Sequence, residues 1–351
     1  MIKNLNLNDY NNILIIQTAF IGDTALALFF AADIKKINPN AKISFITTNV
    51  SAELLKQTKE IDNVIIFDKR NTNKGIKGIN KLASDINQKY NSFDIIFALH
   101  RSLRTTLLAY KINANIKIGY NNSALSILYN YRAKYIKHLH EINRNRQLFT
   151  PFKDIIFSGK TINRPNILFS KEDIEYINTI LLNKINNNKT NIAAAIGSVW
   201  QTKRWELNNF ETVIKELTKN HNIFLIGSKS DAAECELLAQ KTDAVSLAGK
   251  TTIPQTLYLL KKSKLLITND SAPTHFASIV NIPTITIFGP TTPLFGFAPL
   301  ADNSVSVEDN ELFCHPCSIH GANKCPRKTL DCMKNITPDN ILKIANNLLN
   351  K

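Results

Sequence analysis

The sequence predicts an α/β protein built from two doubly wound, Rossmann-like domains. Apolar runs of strand length alternate with helical stretches along the chain, the pattern of a parallel sheet wrapped by helices. At 351 residues the chain exceeds one ordinary core and suits two. Three segments place a buried apolar run directly before small and polar residues and a strong charge: Ile13 to Leu28 (ILIIQTAFIGDTALAL), Ala193 to Trp205 (AAAIGSVWQTKRW) and Ile267 to Ala277 (ITNDSAPTHFA). A parallel strand hands a site to a loop and helix start in this way.

In the first half, strands are expected at Ile13 to Ile16, Ile43 to Thr47, Val64 to Phe67 and Ile95 to Leu99, with helices between them. The interval Asn71 to Lys81, rich in Asn, Lys and Gly, is expected to be a mobile loop. Phe152 to Phe169, with Gly159 and Pro165, is expected to cross between domains, giving residues 1–165 and 166–351. Strands of the second half are expected at Ile192 to Ile196, Ile223 to Ile226, Val245 to Leu247, Leu265 to Thr268 and Thr284 to Phe288. Pro338 to Leu349 closes the chain as a helix.

Charge is unevenly placed. Of the net +15, residues 1–165 hold +13 and residues 166–351 hold +2; residues 69–146 alone carry 15 basic and 3 acidic side chains. Such a field suits an anionic partner, or is simply a solvated basic face. No RNA-binding aromatic motif, zinc-finger spacing or helix-turn-helix pattern accompanies it, so nucleic acid is not the expected partner. No apolar stretch is long enough to span a bilayer, and MIKNLNLNDYNN lacks a signal-peptide core; the expectation is a cytoplasmic protein with reduced thiols.

Asp23 follows Gly22 at the end of the first strand, where an acid at a helix start is either a cap or a general base; Thr18 and Thr24 flank it. Lys203 and Arg204 open a helix near Glu206, where a cation and backbone N–H groups suit a departing diphosphate, or are surface cations beside a packing Trp205. Asn269, Asp270, Ser271, Ala272, Pro273 and His275 form a second small-residue loop at a helix start. Dinucleotide and P-loop fingerprints are both missing. There is no Asp-x-Asp pair of the kind that holds a metal-bound nucleotide, so chemistry without a metal is expected. Cys314, Cys317, Cys325 and Cys332 have a spacing that admits structural zinc, though zinc is not the favoured reading.

Taken in order, these segments resemble glycosyltransferase family 9, the ADP-heptose:lipopolysaccharide heptosyltransferases, over Ile13 to about Ile344. The resemblance implies a GT-B fold, with two Rossmann-like domains facing a central cleft, acceptor in the first and nucleotide sugar in the second. The final helix, about residues 338–350, is allowed to return to the first domain. It makes Asp23 the general base and Lys203 the diphosphate partner. Family positions for the donor fall on Ser198, Val199, Arg204, Gly227, one of Asp231 and Glu234, Gly249 in LAGKTT, Asn269, Asp270, Ser271, Ala272, His275, Gly289 and Thr291. Val199 replaces a hydroxylated residue, and Ala272 a glycine. Lys250 is either ligand-facing or merely exposed.

The acceptor implied is an anionic glycolipid, the lipid A–Kdo core. Candidates to meet it are Thr18, Gly22, Thr24, Arg101, Arg104, Arg132, Lys134, Lys137, Arg144 and Arg146. The reaction implied is inverting heptose transfer from ADP-heptose, with no cofactor, by a protein peripheral to the cytoplasmic face of the inner membrane. Two alternatives stay open: a related transferase using another nucleotide sugar, and a nucleotide- or glycolipid-binding protein that performs no transfer.

Overall fold

The computed structural model describes residues 5–153, 155–158, 161–184 and 189–350. Gly159, expected in the crossing segment, lies outside them. The chain divides into two compact units, Met1–Leu168 and Phe169–Lys351.

The first unit runs β1 (Asn12–Ile16), α1 (Ile21–Ile37), β2 (Lys42–Thr47), α2 (Asn49–Lys56), β3 (Asn63–Ile66), α3 (Gly75–Tyr90), β4 (Phe93–Ala98), α4 (Leu103–Lys111), β5 (Ala114–Tyr120), β6 (Tyr131–Ala133) and α5 (Glu141–Arg146). All six strands are parallel, in the order β3-β2-β1-β4-β5-β6, with Ile16 of β1 opposite Ile46 of β2 and Ala98 of β4. Central strands of a parallel sheet are covered on both faces, which is why β1 reads ILII without alternation and Ile13 to Ile16 are all inaccessible. On one face α3 and α4 contribute Ile79, Leu82, Ile86 and Leu108; on the other, Phe30 of α1 stacks on Phe149 at 4.4 Å and meets Phe97 of β4 edge-on at 5.0 Å.

The second unit runs α6 (Lys171–Lys184), β7 (Thr190–Ala195), α7 (Leu207–Thr218), β8 (His221–Leu225), α8 (Ala232–Lys241), β9 (Val245–Ser246), α9 (Ile253–Lys261), β10 (Leu265–Asn269), α10 (Ala272–Val280), β11 (Thr284–Ile287), β12 (Val305–Val307), α11 (Asp331–Lys334) and α12 (Pro338–Leu349). Its parallel order, β12-β11-β10-β7-β8-β9, repeats that of the first unit. Helix α12 packs on α7, β10 and β11, with Ile341 and Ala345 in the second unit's core. Its apolar stripe is spent in its own unit.

One expectation is corrected: seven of the eleven residues in the interval expected to be a loop are helix, since α3 begins at left-handed Gly75 (φ 67°) directly after Lys74. Strands β5, β6 and β12 also escaped the apolar-run reading. β5 carries Asn115 and Lys117 among its isoleucines, and the other two span three residues each.

Candidate active site

In each sheet the strand order reverses direction between two central strands, β1 and β4 in the first unit and β7 and β10 in the second. Doubly wound sheets hold ligands beyond the carboxyl ends of such strands, because the following loops diverge and leave a crevice.

In the second unit, Asn269 ends β10 and clamps the crevice: its Nδ2 donates to the Ile196 carbonyl at 2.7 Å, and its Oδ1 accepts from Trp205 N–H at 3.0 Å. Trp205 is buried, meets Phe210 edge-on at 5.0 Å and donates Nε1–H to the Ile336 carbonyl, which fixes the chain just before α7. A 3-10 turn at Gln201–Lys203 therefore presents Lys203 toward β10, where Nζ lies 2.5 Å from Asp270 Oδ2. Thr291, beyond β11, donates to the same carboxylate oxygen at 2.7 Å. The Lys203 stem runs over Gly321, where a Cβ would lie 2.9 Å from its Cγ, and Thr202 exchanges hydrogen bonds with the Ala322 backbone. Ser271 precedes α10 without a side-chain cap and Pro273 occupies its first turn, so this helix start presents backbone N–H groups beside the Lys203–Asp270 pair. His275 is buried one turn in, its ring 6.2 Å from Phe297. Ala272 is half-buried, and Gly289 is buried against Met333.

Arg204 points the other way. Its guanidinium and Nε bond the Ser198 carbonyl, Asp231 and Glu234, bracing the loop after β7 against the loop after β8. Asp231 is buried, accepts also from Ser228 N–H and Oγ–H, and lies so close to Gly197 that any Cβ there would collide with it. Asp231 and Arg204 thus brace these loops, and Glu234 is the exposed acid of the two. Gly249 (φ 70°) donates to the Gly227 carbonyl, Ser198 is buried, and Val199 is 75% exposed. Lys250 pairs with Glu236 on the surface.

In the first unit, Asp23 stands in the first turn of α1 and accepts from Phe20 N–H at 3.2 Å, so it does cap its helix. Around it lies a network that local sequence patterns did not announce. Thr18 Oγ1 meets His100 Nδ1 at 3.0 Å across the β1–β4 crevice, and the Thr18 carbonyl accepts from Lys69 Nζ at 2.6 Å. Burial, then Lys69 and Arg101, push the His100 imidazole down to about 4, so it is neutral at pH 7. Burial also lowers Lys69, with Arg104 and Arg70 adding to it and Asp23 opposing. Glu141 at the head of α5 is buried and bonds Arg144 at 2.8 Å; burial and then the Asp23 charge push it up to about 6, against Arg144. Lys69, His100 and Glu141 come from separate segments, and no local spacing joins them.

Several acceptor candidates are engaged inside the unit. Thr24 is fully buried, against Thr47 and the Phe20 carbonyl. Arg146 forms a buried two-pronged pair with Asp33 at 2.8 and 3.0 Å and lies over the Phe157 ring. Arg144 is buried on Glu141, Tyr135 and the Lys137 carbonyl. Both charges are spent inside the unit. Arg101, Arg104, Arg132, Lys134 and Lys137 are exposed, with Arg101 stacked on Tyr135 at 3.9 Å, and Gly22 is half-buried.

All four clustered cysteines line one cavity of about 180 Å³ beside Gly289 and Pro290. Among the described residues, no three His, Cys, Asp or Glu side chains are arranged to hold a metal ion. The segment's visible work is mechanical: Cys317 and Ser318 N–H groups donate to the Pro290 carbonyl, and His315 Nε2 lies 2.9 Å from the Thr291 carbonyl.

Known proteins share this fold. The family model described as glycosyltransferase family 9 (heptosyltransferase) matches residues 81–324. Lipooligosaccharide heptosyltransferase 2 of Campylobacter jejuni is 24% identical over 337 residues, 94% of this chain and 96% of that protein. The fold is that of the family 9 glycosyl transferase of Veillonella parvula (TM-score 0.84, 21% identity, 99% and 98% of the two chains) and of the Escherichia coli ADP-heptose lipopolysaccharide heptosyltransferase II (TM-score 0.77, 20% identity, 96% and 98%).

Proposed function

The chain belongs to glycosyltransferase family 9, and on that premise we propose that it transfers L-glycero-D-manno-heptose from ADP-heptose to the lipopolysaccharide inner core, with inversion and without a metal. The observation that carries this reading is Lys203 held by Asp270 beside the uncapped start of α10. A cation and a row of backbone N–H groups meet the charge that develops on a departing ADP. Glu234, the exposed acid after β8, is assigned to the ribose. In the first unit Asp23 takes the proton of the acceptor hydroxyl as its oxygen attacks the anomeric carbon and the bond from that carbon to the ADP oxygen breaks. Lys69, Arg101 and Arg104 receive the anionic acceptor, and the protein works at the cytoplasmic face of the inner membrane, where a lipid-anchored acceptor resides.

Purified protein, ADP-heptose and defined truncated core acceptors test this: mass spectrometry should show one heptose added. Transfer from a different nucleotide sugar but not from ADP-heptose would reject the donor assignment.

A further inference from the structure

We propose that the loop after β5, residues 121–130, and the head of α4 form a face that docks on an anionic lipid bilayer. Leu125 and Ile127 are 51% and 77% exposed on this loop, and Leu103 at the start of α4 is 47% exposed. The loop is firmly held. Ala124 N–H donates to the Arg101 carbonyl at 3.2 Å, Ser123 N–H donates to the Tyr120 carbonyl, and buried Tyr129 donates its hydroxyl to Thr106 at 2.9 Å.

Leu125 sits in left-handed backbone (φ 53°, ψ 40°), a conformation that costs leucine more than Asn or Gly. An anchored loop that holds two large apolar side chains in water, one on strained backbone, is built for a different medium. Charge identifies that medium. The Ala124 bond sets exposed Arg101 beside the loop, Arg104 follows in the first turn of α4, and neither pairs with a carboxylate among the described residues. Apolar side chains bordered by unneutralised guanidinium groups match an interface where acyl chains lie beneath anionic headgroups.

This inference deepens the proposed function by naming the surface from which a lipid-anchored acceptor is approached. Its test uses neither donor nor acceptor, so the two readings fail separately. The full chain is sedimented with vesicles of phosphatidylglycerol and phosphatidylcholine, and with phosphatidylcholine alone. Partition onto the anionic vesicles should exceed that onto the neutral ones by about tenfold, and Leu125→Ser/Ile127→Ser should lower it by about tenfold while leaving the thermal melt unchanged. In Ile127→Trp, the added emission should shift to the blue and be quenched by brominated lipid. Absence of partition onto anionic vesicles, partition indifferent to the double substitution, or an unquenched Trp at 127 would each overturn the proposal.

Discussion

Lys203 Nζ lies 2.5 Å from Asp270 Oδ2, joining the loop after β7 to the end of β10 across the point where the second sheet reverses its order. Asp270 also accepts from Thr291, so three loops converge on one carboxylate. Replacing Lys203 by Ala should weaken ADP binding by about tenfold or more and lower turnover further, because a diphosphate partner serves the bound state and the departing group alike. Calorimetry with ADP checks the first part; unchanged affinity removes Lys203 from the diphosphate.

Arg146 and Asp33 make the opposite case, a charge pair that holds the fold. Arg146→Ala should destabilise the protein by about 3–5 kcal/mol, since it strands a buried carboxylate. Denaturant unfolding measures this. A loss under 1 kcal/mol with a raised acceptor KM would return Arg146 to substrate recognition.

Exposed arginines should behave differently. If Arg101 and Arg104 draw in an anionic acceptor, acceptor KM should rise with salt as these charges are screened over about 8 Å at physiological ionic strength, and Arg101→Ala/Arg104→Ala should flatten that rise. Donor KM should change little, its proposed site lying in the half that carries only +2. An acceptor salt dependence identical in the double variant would make both residues ordinary surface.

His100 and Glu141 give the fold opposed pH dependences. The His100 pKa is depressed from 6.5 to about 4, so its stability contribution is present above pH 6.5 and lost as pH falls through 4. The Glu141 pKa is raised from 4.5 to about 6, so its contribution is present below pH 4.5 and lost as pH rises through 6. Unfolding free energy measured from pH 4 to 7 should therefore fall less steeply toward acid in His100→Asn, and more steeply in Glu141→Gln. Parallel curves for either variant and the wild type would contradict the assignment for that residue.

Much of the fold was legible because buried parallel strands write themselves as short apolar runs: nine of the twelve strands among the described residues were marked by runs such as ILII and LLIT. α12 was legible because Thr337 and Pro338 announce its start. β5, with Lys117 among its isoleucines, was not. At the site, Lys203, Asp270 and Asn269 stood out because each lies in a segment that runs from an apolar stretch straight into small and polar residues and a strong charge. Lys69, His100 and Glu141 did not, since only the sheet order brings segments this far apart in sequence toward Asp23. The same distance hid the fate of Arg146, neutralised on Asp33 113 residues earlier, whereas Arg144 pairs with Glu141 only three residues before it, a local pairing that a count of basic residues passes over.

The central claim is that Asp23, besides capping α1, takes the acceptor proton. Asp23→Asn keeps the shape and a side-chain oxygen for the Phe20 N–H but removes the base. Single-turnover transfer from ADP-heptose, measured alongside ADP affinity, tests it most directly. The rate should fall by about two orders of magnitude or more with donor binding unchanged; transfer at the wild-type rate would leave Asp23 a helix cap and contradict the mechanism.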